Sequence, residues 1–327
     1  MPSDVQNRVT ASDVARLAGV SRATVSHILN GYTGKFSAET EERVRAAASA
    51  LRYQPSLGGR VLTKGRSDIV IVLLPSAAVG VRLQEVLDAI TVAAQSLGLN
   101  VLAWFSADTH APSLSALTYA LPAAVIDLSA LDAGEREVLE GAGIPVVPSS
   151  TRLAGQRSPL PDELVASAQL DLLADRRLVF AHLDDSRGSG RLSRAREEAL
   201  RLACRARGVT EPLGITLDLT LDNAVAGMRA LTGPDPLGIA CFNDDVATAV
   251  LAAARKLKLD VPGEIAIVGI DFTPLGQLLD PPLTTISIDP GAGLDLLLAD
   301  LKACVDQTPV DGQDASYSIT IHRGGTA

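Results

Sequence analysis

The sequence predicts a small all-α helix-turn-helix head joined to an α/β body of two parallel-sheet lobes. Three observations predict it. Basic residues are concentrated at the N-terminus of an otherwise acidic chain. Two short helical stretches flank the three-residue turn Gly19-Val20-Ser21. From Asp68 onward, apolar strand-like runs alternate with amphipathic stretches.

The chain has 327 residues, enough for two or three domains. Hydrophobic residues make up 47% and charged residues 20%, as in a soluble globular protein. The strongest apolar run, Ile69 to Leu74, is broken by Pro75 and is too short to span a bilayer. The N-terminus is polar and shows no leader-like apolar stretch. Cys204, Cys241 and Cys304 have no metal-ligand spacing and suit a reducing compartment, so a cytoplasmic protein without membrane contact is expected. Residues 1–66 hold ten Lys/Arg against five Asp/Glu, a net +5, which leaves −14 for the rest of a chain whose total is −9. A basic head on an acidic body points to polyanion contact by the head alone.

Within the head, Thr10 is placed to cap a helix from Ala11 to Ala18, with Asp13 favouring its positive end. Gly19 stops that helix. Ser21 caps the next, Arg22 to Leu29, which Asn30-Gly31 ends. Ser37 caps a third, from about Ala38 to Tyr53. Val14, Val20, Val25 and Ile28 are the expected filling between the first two helices. A bare helical bundle would show the same core. The outer face of the second helix argues for more, because Arg22, Thr24, Ser26, His27 and Asn30 carry donors suited to phosphates or bases.

The run from Val9 to Asn30, continued through Val44 to Pro55, resembles the head of the lactose-repressor (LacI/GalR) family. The resemblance implies a DNA-binding domain over residues 1–54, with double-stranded operator DNA as partner. It implies base reading by Arg22, Ala23 and His27, and phosphate contacts from Thr24, Ser26 and Asn30; Thr10 and Ser21, at the helix starts, are assigned to phosphates as well. Ala23 has no donor, so its contact would be apolar, for example with a thymine methyl. His27 stands where that family often has arginine.

Residues 55–67 are rich in glycine and basic residues and read as a linker. The resemblance implies a hinge that folds into a short helix on DNA, with Leu62 wedged into the minor groove beside Arg60. Gly58-Gly59 departs from an alanine-rich hinge, and each glycine costs about 1 kcal/mol in a helix. A hinge unfolded off DNA is the expectation; a plain flexible linker is the alternative.

The body is expected over residues 68–327. Strands are predicted at Ile69–Leu74, Asn100–Trp104, Ala123–Leu128, Ile144–Val147, Leu178–Ala181, Gly238–Phe242 and Ile265–Ile270, with a last one near Tyr317–His322. Helices are predicted at Leu83–Leu97, Leu192–Arg207 and Asp245–Leu257. The lobe boundary is expected at about 150–176, with the chain crossing back at about 276–290. Phe242-Asn243-Asp244-Asp245-Val246-Ala247, Val261 to Asp271 and Pro281 to Ile286 again resemble the lactose-repressor family, in its periplasmic-binding-protein-like body.

Ligands of open α/β sheets bind at the carboxyl ends of strands. Asn243 and Asp271 fall at such ends, and the resemblance implies ligand contacts at both. Each also suits capping, which is compatible with ligand contact. The resemblance further implies an arginine early in the helix near 192: Arg191 is the first choice, with Arg194 competing. Ser76, after the first strand, and Trp104 complete the effector candidates, although Trp104 suits the core equally well. Pro159 to Glu163 replaces the region where a pocket acid is expected, and aromatics are 3% of the chain, so the effector pocket looks eroded.

No phosphate loop, paired-histidine metal motif or nucleophile elbow is present, and His110, His182 and His322 are scattered. No enzyme, catalytic residue, cofactor or metal is expected. The expected protein is a sequence-specific transcriptional regulator, a repressor acting as a homodimer on a pseudo-palindromic operator. Its effector would be a sugar, nucleoside or other metabolite. The alternative is an effector-independent regulator whose body serves dimerisation or protein interaction. The short tail after the last predicted strand leads to the expectation of no tetramer-forming helix.

Overall fold

The computed structural model describes residues 9–29, 34–53, 65–75, 81–106, 114–128, 131–149, 153, 158–183, 190–231, 233–310, 314 and 316–327. The chain divides into two compact units, Met1–Asp68 and Ile69–Ala327.

Among the described residues of the first unit there are three helices: α1 (Ala11–Ala18), α2 (Arg22–Leu29) and α3 (Ala38–Ala50). Asp13 fixes the start of α1 by accepting from the Thr10 N–H at 3.0 Å and the Thr10 hydroxyl at 2.7 Å. Gly19 ends it in the left-handed region at φ 67°, where a side chain would be strained, and Val20 N–H closes on Ala15 O at 3.0 Å. The turn is therefore fixed by backbone chemistry. Ser21 Oγ then accepts from Thr24 N–H at 3.1 Å to open α2, and Ser37 Oγ accepts from Thr40 N–H at 3.3 Å to open α3. Val14, Val25, Ile28 and Val44 are buried in one cluster, with Val20 half-buried at its edge. The third helix ends three residues before the expected Tyr53, because Arg52 turns into the left-handed region at φ 49°.

Among its described residues the second unit holds two sheets. The first has strand order β2-β1-β3-β4: β1 Ile69–Pro75, β2 Asn100–Ser106, β3 Ala124–Asp127 and β4 Val146–Val147, all parallel. Alternation along β1 sorts its fully buried residues into two layers. Val70, Val72 and Leu74 face α4 (Val81–Ser96), while Ile71 and Leu73 face α5 (Leu114–Ala120) and α6 (Ala133–Gly141).

The second sheet has order β10-β9-β8-β7-β5-β6: β5 Arg177–Leu183, β6 Leu213–Leu217, β7 Leu237–Cys241, β8 Ile265–Ile270, β9 Thr284–Asp289 and β10 Ser318–His322. Its helices are α7 (Pro161–Leu172), α8 (Gly190–Arg207), α9 (Leu221–Leu231), α10 (Asp244–Leu257) and the short α11 (Pro274–Gln277). One continuous apolar cluster fills it, including Cys204 and Cys241, whose thiols burial pushes up in pKa. The sheet is not wholly parallel, since β10 pairs antiparallel with β9 at the edge.

The chain leaves the first sheet between β4 and α7 and returns between β9 and α12 (Gly291–Asp306). Leu294, Leu297 and Leu301 of α12 pack into the first lobe. A further passage, after α12, brings β10 to the second sheet; the sequence reading does not anticipate it. Helices α5, α6, α7, α9, α11 and α12 and strands β6 and β9 were also not anticipated.

Candidate nucleic-acid interface and effector cleft

Helix α2 is held by Val25 and Ile28 underneath, so its other side faces outward. Arg22, Ala23 and His27 are all exposed there. Ala23 and His27, four positions apart, share one helical face, and Arg22 stands beside it at the first residue of the helix. The His27 ring lies 6.2 Å from the ring of Phe36, tilted by 44°. Among the phosphate candidates, Thr10 and Ser21 are engaged in fixing helix starts, and the Ser21 and Thr24 hydroxyls lie 2.9 Å apart. These residues position α1 and α2 in addition to offering polar surface. Ser26 is half-buried. Asn30, Arg60 and Leu62 lie outside the described residues.

In the second unit each sheet reverses direction once. β1 is flanked by β2 and β3, and β5 by β6 and β7. Crevices open at the carboxyl ends of strands at such switch points. A cleft of about 460 Å³ lies there, lined from the first lobe by Asp127, Leu131, Arg136 and Pro148 and from the second by Asp162 and Leu192. Asp127 ends β3. It pairs with Arg136 at 2.8 Å and accepts from Leu131 N–H at 3.0 Å, while Arg136 also donates to Pro148 O at 2.7 Å. The pair is largely dry, with the Asp127 side chain 6% exposed.

Across the cleft, Arg196 of α8 meets Asp162 of α7, Nε to Oδ1 at 3.3 Å. The same guanidinium donates to Phe242 O at 2.6 Å and lies over the Phe242 ring, 5.0 Å from its centre. Asp271, just past β8, is raised in pKa by burial, with the nearby Arg196 charge opposing and Asp245 adding. Asn243 caps α10, accepting from Val246 N–H at 3.0 Å, and is buried.

This arrangement changes the sequence-derived site. The arginine that pairs with the cleft-lining Asp162 is Arg196, which the sequence reading did not name. Arg194 is exposed, and the side chain of Arg191 falls outside the described residues. With α8 starting at Gly190, Leu192, Arg196 and Ala199 share its inward face; that periodicity is the signal that could have found it. The pocket acid is present as Asp162, in the first turn of a helix opened by Pro161. The Asp127–Arg136 pair carried no motif. Trp104 packs half-buried against the cluster of Ile71 and Leu73 and is not among the described cleft-lining residues. Ser76 lies outside the described residues. Among the described residues no group of side chains is arranged to hold a metal ion, and no helix is long and apolar enough to cross a membrane.

Residues 10–56 match the family model described as bacterial regulatory proteins, lacI family, and residues 175–326 match a periplasmic binding protein-like domain. A ribose operon repressor from Halalkalibacterium halodurans is 31% identical over 290 residues, covering 85% of this chain and 84% of the relative. A transcriptional repressor named PurR from Vibrio campbellii is 29% identical, covering 85% and 86%. Among solved structures, the lac repressor dimer bound to operator and an anti-inducer superposes with a TM-score of 0.70 at 21% identity. It covers 98% of this chain and 99% of that one. A CelR–cellobiose complex superposes at 0.57, also at 21% identity, covering 98% and 100%.

Proposed function

Because this chain belongs to the lacI family of bacterial regulatory proteins, we propose that it represses transcription from a pseudo-palindromic operator as a homodimer, under the control of a hydroxyl-rich small molecule held in the interlobe cleft. It is a DNA-binding transcriptional regulator of the helix-turn-helix type. The observation that carries the reading is the outward row Arg22, Ala23 and His27 on a helix whose other side is locked into its own core. Such a row fits a major groove, where arginine reads guanine and a methyl side chain meets thymine. Twofold operator symmetry calls for two heads.

The cleft supports the effector part. Asp127, Asp132, Asp162 and Arg136 line it, with Arg196 paired to Asp162 behind, and sugar hydroxyls can donate to the carboxylates and accept from the guanidinium. No described lining residue is aromatic, so recognition rests on polar contacts. The relatives named for a ribose operon and the CelR complex with cellobiose agree with that ligand class. For the dimer, Leu275 and Leu278 are exposed at 58% and 82%, an apolar outer face suited to a second copy. A cytoplasmic location follows from operator binding.

Footprinting on genomic fragments tests the proposal. A protected site with twofold symmetry, released by a sugar that also raises the melting temperature of the body, is expected. An asymmetric footprint would sink the dimer. Intact operator binding without any stabilising ligand in a screen of sugars and nucleosides would favour effector-independent control.

A further inference from the structure

His27 stands in the last turn of α2, next to Ile28, which is 2% exposed in the core of the head. Its backbone is therefore held from beneath, while its side chain is exposed. The ring has a neighbour from farther along the chain. The Phe36 ring centre lies 6.2 Å from that of His27, with the planes tilted by 44°. Tilted aromatic rings attract one another at centre separations of about 4.5–7 Å.

Phe36 is itself fixed from two sides. It packs half-buried against the cluster of Val14, Val25, Ile28 and Val44. The residue after it, Ser37, is locked as the cap of α3: its Oγ accepts from Thr40 N–H at 3.3 Å and lies 2.9 Å from Thr40 Oγ1. Helix α3 in turn packs on α1 and α2. The Phe36 ring is thus a wall beside His27 whose place is set by the core and by a helix cap.

Such a wall bears on base reading. An exposed histidine samples several staggered rotamers, and a hydrogen bond to a base edge needs one of them. Ordering the ring costs free energy, and that cost falls on the matching base, where the contact forms. It therefore subtracts from discrimination, unless the ring is confined before DNA arrives. We propose that Phe36 is a positioning residue for base reading: its ring confines the His27 side chain to the orientation that meets a base edge, and so sharpens the preference at one base pair without touching the DNA. The inference rests on the reading of His27 as a base-reading residue.

The test uses full-length protein and duplexes that the parent selects from a randomised DNA pool. Dissociation constants are measured by fluorescence anisotropy on the selected site and on its single-base variants, all at one salt concentration. His27→Ala locates the base pair that His27 reads, as the position whose discrimination collapses. Phe36→Leu keeps an apolar side chain in the core and removes the flat ring. It is expected to lower discrimination at that base pair about fivefold and to leave the other positions as in the parent. A merely loosened head would weaken every position alike. Phe36→Tyr, which keeps the ring, is expected to discriminate as the parent does. In the His27→Ala background, Phe36→Leu is expected to change no base preference. Phe36→Met repeats the test should Phe36→Leu fail to fold by circular dichroism. The proposal is overturned if Phe36→Leu discriminates as the parent does or weakens all positions equally. It is also overturned if Phe36→Leu still alters a preference in the His27→Ala background, since Phe36 would then be a base contact of its own. His27→Ala with every preference intact removes the base-reading role of His27, and the positioning role with it. Loss of one preference in His27→Ala but none in Phe36→Leu rejects Phe36 alone.

Discussion

Arg196 and Asp162 join α8 to α7 at the mouth of the cleft, with Nε 3.3 Å from Oδ1 and the guanidinium only 11% exposed. The arginine also supplies the donor for Phe242 O. Removing it leaves a carboxylate and a carbonyl unpaired in a partly dry site. Arg196→Ala should therefore lower the unfolding free energy of the body by about 2 kcal/mol. It should also weaken any stabilising ligand tenfold or more. Arg196→Lys keeps the charge but not the planar fork, so it should recover part of the stability and little of the binding. Urea unfolding and ligand titration followed by melting temperature check both. A variant as stable and as responsive as the parent would remove Arg196 from the site.

Much of this architecture was legible in the sequence because it rests on local rules. Thr10, Gly19, Ser21 and Ser37 punctuate the head by capping and left-handed turns, and the structure uses each of them that way. Strand β8 matches its predicted limits because six consecutive apolar residues stop at the turn beginning with Asp271. Asp162 and Arg196 were missed because they meet across 34 positions of chain, so only the packing of α7 on α8 brings them together. Helix α12 was missed for a related reason. Its leucines belong to the first lobe although their sequence neighbours build the second.

Asp13 makes the head sensitive to acid. Hydrogen bonds from the Thr10 hydroxyl and N–H hold its pKa below the ordinary carboxylate value, with Arg16 contributing. A depressed folded value means the stabilisation is present above the unfolded pKa and is lost as pH falls through the folded one. Asp13→Ala should thus lower the melting temperature of the isolated head at pH 7 and flatten its decline in acid. Circular dichroism melts of residues 1–66 at several pH values measure this. Equal slopes for parent and variant would refute it.

Arg22 and Ala23 make opposite predictions for specificity. Arg22→Ala should cost about 1–3 kcal/mol of discrimination at one base pair while leaving the salt dependence of operator binding nearly unchanged. Ala23→Ser adds a hydroxyl at a position limited to apolar contact, so it should shift the preferred base there without weakening non-specific binding. Anisotropy titrations on the operator and on single-base variants, each at several salt concentrations, distinguish the roles. A uniform loss on every sequence, with a shallower salt slope, would reassign Arg22 to a phosphate.

Asp244 predicts an acid-side signature in the body. Burial raises it from 3.8 to about 6, against the lowering effect of the bonds from Thr285 and Thr273, with Asp271 adding to the rise. Between those two values the native state keeps a proton that the unfolded chain has released. Stability from this group therefore falls as pH rises from about 4 to 6 and is level above that window, the reverse of Asp13. The span corresponds to a change on the order of 3 kcal/mol. Asp244→Asn cannot titrate, so the difference in unfolding free energy between parent and variant should vary with pH across that window and be constant above pH 7. The amide also turns a donor toward Thr273 N–H or the Thr285 hydroxyl, which leaves the variant less stable than the parent throughout. Urea unfolding of the body at half-unit pH steps separates the effects: a constant offset is the mismatched amide, and a sloping offset is the carboxylate. Parallel curves over the whole range would mean that Asp244 stays ionised, with its hydrogen bonds outweighing its burial.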